Sequence, residues 1–63
     1  MHSYSDYKIE YWVKDQDDAL VQRFSEDALY HARQTAEVRS GRVYEVVLDL
    51  TLEGMGIVSE MEI

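Results

Sequence analysis

The chain has 63 residues, no cysteine and a formal net charge of −7. One domain is all that this length accommodates, and the missing thiols exclude disulfides, thiolate zinc sites and cysteine nucleophiles. Apolar residues at 46% and charged residues at 30% are the balance of a globular chain, not a disordered one.

A domain this short buries roughly 60% of its unfolded-chain surface, so its core is marginal. Without disulfides or thiolate metals, association with a partner or a second copy is the remaining common support. The charge is uneven. Residues 1–42 carry eight acids and six bases, whereas residues 43–63 carry Glu45, Asp49, Glu53, Glu60 and Glu62 and no Lys or Arg. Such a field repels nucleic-acid backbones and anionic lipid. It favours basic partners, including proteins that themselves bind DNA or RNA, although charge of this size also serves plain solubility. No apolar run is long enough for a membrane span. Met1 to Asp6 is polar and lacks the apolar core of a signal peptide, so a cytoplasmic location is expected.

Residues 1–6 read as an N-terminal tail and residues 7–63 as the domain. Tyr7 to Lys14 alternates, with Tyr7, Ile9, Tyr11 and Val13 on one side and Lys8, Glu10, Trp12 and Lys14 on the other. That is the pattern of a half-buried strand. Asp15-Gln16-Asp17-Asp18 is a polar turn, and Ala19 to Phe24 a second strand whose phase needs a bulge near Gln22 or Arg23. Ser25 is a good N-cap for a helix running to about Ser40, with Gly41 suited to the left-handed position beyond its end. Ala28, Leu29, Ala32 and Ala36 form its buried stripe.

Arg42 to Leu52 is the clearest strand. Tyr44, Val46, Leu48 and Leu50 are expected beneath the helix, with Val43, Glu45, Val47 and Asp49 on the opposite side. Glu53-Gly54-Met55-Gly56 turns the chain, and Ile57 to Ile63 pairs back as a fourth strand. The fold class is therefore α+β, in the order ββαββ. A right-handed crossover predicts an antiparallel sheet ordered 2-1-3-4 with the helix on one face.

Candidate chemistry is sparse. His31 lies one helical turn after Asp27, but no nucleophile accompanies them, and a solvated pair is the simpler reading. Asp15, Asp17 and Asp18 are followed by Ala19 and Leu20 where a calcium loop needs an oxygen ligand and a glycine. Gly54-Met55-Gly56 precedes no helix and so lacks the N-terminus that holds phosphate. No triad, paired-carboxylate cleft or metal cluster is legible, so neither catalysis nor a cofactor is expected. The six basic residues are scattered and do not interleave with aromatics, which argues against direct nucleic-acid binding.

Trp12 is the most informative residue. Alternation places it on the open face with Val43, Val47 and Val58, rimmed by Glu45, Asp49, Glu60 and Glu62. A tryptophan among valines with a charged rim fits the centre of a protein interface. The alternative is a Trp12 partly covered by the tail or by long side chains.

The run Ala19-Leu20-Val21-Gln22-Arg23-Phe24-Ser25-Glu26-Asp27-Ala28-Leu29 passes directly from strand to helix. With the preceding hairpin and the strand after Gly41, it resembles very small phage-encoded host-inhibitor proteins. Among these, the podophage inhibitor of bacterial RNA polymerase is similar in arrangement over residues 7–50, and small anti-CRISPR proteins share the element order. The fourth strand departs from the polymerase inhibitor's pattern, and no residue-specific motif carries a role across. The resemblance implies a phage-encoded, non-enzymatic inhibitor of a host machine in the bacterial cytoplasm. Trp12, Val47, Glu45, Asp49, Val58, Glu60 and Glu62 are the expected partner-binding residues. The alternative is a small accessory protein that forms a homodimer or larger assembly through its sheet.

Overall fold

The structure, a computed structural model, describes residues 6–51 and 56–63. The chain order is β1 (Tyr7–Lys14), β2 (Leu20–Ser25), α1 (Leu29–Arg39), β3 (Arg42–Asp49) and β4 (Gly56–Glu62). The four strands form one antiparallel sheet ordered β2-β1-β3-β4, as the alternation and crossover predict. Residues 1–5, with His2, and most of the expected Glu53–Gly56 turn lie outside the described residues.

The β1–β2 hairpin closes through Asp15. Its Oδ1 accepts from the Asp17 N–H at 2.8 Å and the Ala19 N–H at 3.0 Å, and Asp18 takes a left-handed φ of 66°. Short side chains that bond their own backbone and tolerate this region are what such a turn requires. The expected irregularity in β2 is present at Val21: Val13 pairs with Gln22 and Lys14 with Leu20, which leaves Val21 as the extra residue. That shift reconciles its phase, because Val21 and Phe24 both pack against the core.

The helix differs from expectation at both ends. It begins at Leu29 with Ala28 as N-cap and no side-chain cap. Ser25 ends β2 instead; its carbonyl accepts from the Ala28 N–H and its hydroxyl donates to Asp27 Oδ1. At the C-terminus Ser40, not Gly41, is left-handed, with φ 54°. The Gly41 N–H then reaches back to the Ala36 carbonyl at 2.8 Å and the Ser40 N–H to Glu37 at 3.2 Å, which satisfies two carbonyls of the last turn. Gly41 is needed for another reason. A Cβ there would collide with the Lys14 carbonyl oxygen. The helix exit and the end of β1 touch backbone to backbone.

Register decides the faces. Val13 pairs with Val43, Tyr11 with Glu45 and Ile9 with Val47. Val13 and Val43 pack with Ala32 and Ala36, and Tyr11, Val21, Phe24 and Leu29 close around them. The helix therefore covers the face of Val43, and the expectation that Tyr44, Val46, Leu48 and Leu50 lie beneath it is corrected. The Val43 phase also carries Glu45 and Asp49, so alternation favours the Tyr44 phase, and packing overrides it. Small Ala32 and Ala36 let the helix lie close on two valines, and the Gly41–Lys14 approach fixes its end there. Val46 and Leu48 are nonetheless buried, at 0% and 2% exposure, on the opposite face. In the ladder Val46 lies between Glu10 and Glu60, and Leu48 between Lys8 and Ile57. Leu50 falls outside β3 and is 43% exposed.

Candidate protein-binding surface

The helix-free face carries an ordered polar cluster at its β1–β2 side. Glu10 is only 5% exposed. It accepts from Trp12 Nε1 at 2.8 Å and from Arg23 Nε and a terminal guanidinium nitrogen at 2.9 and 3.3 Å, while Lys8 Nζ lies 3.1 Å away. The Arg23 hydrogen bonds are the largest of the influences that lower the Glu10 pKa to about 2, against the opposing effect of burial. Arg23 also lies over the Trp12 ring, 5.2 Å from its centroid. Trp12 is half-buried, with its N–H committed to Glu10 and its face to Arg23. The long Arg23 side chain partly covers it.

A second cluster bridges three strands. Lys14 Nζ lies 2.6 Å from Glu60 Oε2 and 4.8 Å from the centroid of the intervening Tyr44 ring. The Glu60 hydrogen bond is the main influence raising the Lys14 pKa.

The structure divides the residues expected to bind a partner. Trp12, Glu60 and Glu62 share the helix-free face through their ladder partners Tyr44 and Val46. Glu45, Val47 and Asp49 belong to the helix face. Glu45 accepts from the Tyr11 hydroxyl at 3.5 Å. Asp49 accepts from the Thr51 hydroxyl and N–H, which lowers its pKa. Val58 is the extra residue of a bulge, since Val47 pairs with Ser59 and Leu48 with Ile57. The one-phase slip that moved the helix to the Val43 face also separates these carboxylates.

Strand β4 is more exposed than its sequence alone indicates. Helix α1 packs on β1, β2 and β3 and has at most marginal contact with β4. Among the described residues strand β4 has one hydrogen-bonded neighbour and ends the sheet. Ile57, Val58 and Met61 on it, and Ile63 just beyond it, are all between 40% and 59% exposed. The signal was available in part, because a helix with a short alanine stripe cannot cover four strands. Glu10 left less trace; its neighbours Lys8 and Trp12 are two residues away in sequence, but Arg23 reaches it only through hairpin register.

The features considered for chemistry do not converge. His31 stacks edge-on against Tyr30, with ring centroids 5.7 Å apart, while Asp27 is engaged by Ser25. Among the described residues no group of three or more His, Asp or Glu is placed to hold a metal ion. A shallow groove where α1 meets the end of β4 is lined by Arg33, Glu37, Arg42, Glu62 and Ile63, a mixed-charge and open surface. No described helix is long and apolar enough to cross a membrane. No family model, curated protein or solved structure matches this chain.

Proposed function

We propose that this chain is a non-enzymatic, protein-binding inhibitor or modulator of a host enzyme or defence complex, encoded by a phage and acting in the bacterial cytoplasm. The observation that carries the binding reading is β4: among the described residues it has no second neighbouring strand and at most marginal contact with the helix, and Ile57, Val58 and Met61, with Ile63 just beyond it, are exposed. An exposed apolar sheet edge invites strand pairing and is a liability unless it is used or guarded. The phage-encoded and inhibitory parts draw on the ββαββ order and small size shared with phage host-inhibitor proteins. The binding element shifts from the whole sheet face towards Val58, Glu60 and Glu62 of β4, because Trp12 is held by Glu10 and Arg23.

The test is affinity capture on the immobilised full chain from bacterial lysate, followed by assay of the captured protein. A single stoichiometric partner whose activity falls when the chain is added supports the reading. Retention of nothing but further copies of the chain supports instead an accessory protein that self-associates through its sheet. That second reading draws on both open edges, β2 and β4.

A further inference from the structure

On the basis of the protein-binding reading, we infer that β4 receives an extended, basic segment of a partner protein as a fifth strand, with Lys or Arg at alternate positions set against Glu60 and Glu62.

The backbone supplies the docking groups. The Ile63 N–H donates to the Val43 carbonyl at 3.0 Å. Antiparallel ladders alternate hydrogen-bonded and non-hydrogen-bonded pairs. Glu62, opposite Tyr44, and Glu60, opposite Val46, therefore direct N–H and C=O away from β3. An incoming strand bonds at those two residues, and its side chains directly opposite them share their face.

Charge selects the occupant. A second copy pairing antiparallel about Glu60 sets Glu60 against Glu60, and pairing about Met61 sets Glu60 against Glu62. Directly opposed like charges are destabilising. Moving the centre to Ser59 runs the ladder into the bulge at Val58. The edge is thus guarded against pairing with its own counterpart, and no Lys or Arg occurs in residues 43–63 to relieve it. A strand with basic residues at those positions reverses the sign of each contact. Glu60 already holds Lys14, so Glu62 contributes the larger share. The intervening partner residues fall on the helix side beside exposed Met61, on a strand that α1 contacts at most marginally; apolar side chains fit there. Strand addition of this kind takes affinity from backbone pairing and specificity from alternate side chains.

The probe is an end-blocked peptide of about eight residues alternating valine and arginine, added to isotope-labelled full chain and read by amide NMR. The control alternates valine and glutamate. The expected result is shift changes along Gly56–Glu62 and new exchange protection at the Glu60 and Glu62 amides, with the basic peptide alone. Glu62→Pro removes an outward donor at an edge position that tolerates proline, and it should abolish the response while the rest of the spectrum persists. Paired Glu60→Lys and Glu62→Lys substitutions should weaken binding by roughly tenfold or more, since like charges then oppose. Equal response to the acidic peptide, shifts confined to other strands, or no response overturns the inference. So does concentration-dependent protection of β4 without peptide, which makes a second copy the occupant. Capture of a host protein that is insensitive to Glu62→Pro overturns the edge inference while leaving the protein-binding reading standing.

Discussion

Arg23 closes over Glu10 from the neighbouring strand, Nε to Oε1 at 2.9 Å, and holds a carboxylate that is 5% exposed in its charged form. Their positions are offset in the ladder: Trp12 is the residue opposite Arg23, so the guanidinium reaches diagonally across the indole to the carboxylate. Removing the guanidinium leaves a buried charge short of its strongest donor. Arg23→Ala should lower unfolding free energy by about 1–3 kcal/mol, measured by urea titration at neutral pH.

The same pair sets an acid response. Glu10 titrates at about 2 in the folded chain against an ordinary 4.5. Between those values the unfolded chain binds the extra proton, so this stabilisation is complete above the ordinary value and is lost as pH falls towards 2. Urea midpoints should therefore decline across that window, and Glu10→Gln should flatten that part of the decline. A carboxyl carbon titration that places Glu10 near its ordinary value would contradict the assignment.

Gly41 and Ser40 should respond in opposite directions. Gly41→Ala forces a methyl into the Lys14 carbonyl and should cost about 1–3 kcal/mol, the usual range for overpacking. Ser40→Gly relieves a left-handed serine at φ 54° and should stabilise by roughly 0.5–1 kcal/mol. Thermal denaturation of the two variants checks both signs.

Leu48 and Val43 lie on opposite faces, so their truncations should be felt by different neighbours. Leu48→Ala should cost about 2–5 kcal/mol, yet leave the methyl resonances of Leu29, Ala32 and Ala36 nearly unmoved. Val43→Ala should shift those helix methyls directly. Helix-methyl shifts on Leu48→Ala instead would return β3 to the opposite phase.

Glu60 and Glu62 are expected to keep β4 from pairing with itself. Substituting both by threonine, a good strand residue without charge, should increase concentration-dependent self-association in sedimentation velocity relative to the parent chain. An unchanged sedimentation profile would mean that the carboxylates do not guard the edge.

Element type and order were legible in the sequence because they are local. Strict alternation over Tyr7–Lys14 admits only a half-buried strand, and the β1 bounds match it residue for residue. The polar Asp15–Asp18 turn, the alanine spacing at Ala32 and Ala36, and the need for a bulge in β2 are equally short-range, and together with crossover handedness they determine the order 2-1-3-4. Which face of β3 meets the helix is not local. Glu45 and Asp49 share the phase of Val43 and Val47, so the periodicity points to Tyr44, Val46 and Leu48, and only the pairing of Val13 with Val43 beneath Ala32 and Ala36 reverses that choice. The candidate site followed that choice: Trp12 was found as a residue of the helix-free face, but its partners Glu10 and Arg23 meet only through hairpin register. The narrow alanine stripe hinted that the eleven-residue helix would not span four strands, but which strand it leaves almost uncovered was a tertiary outcome, decided by its packing on β1, β2 and β3.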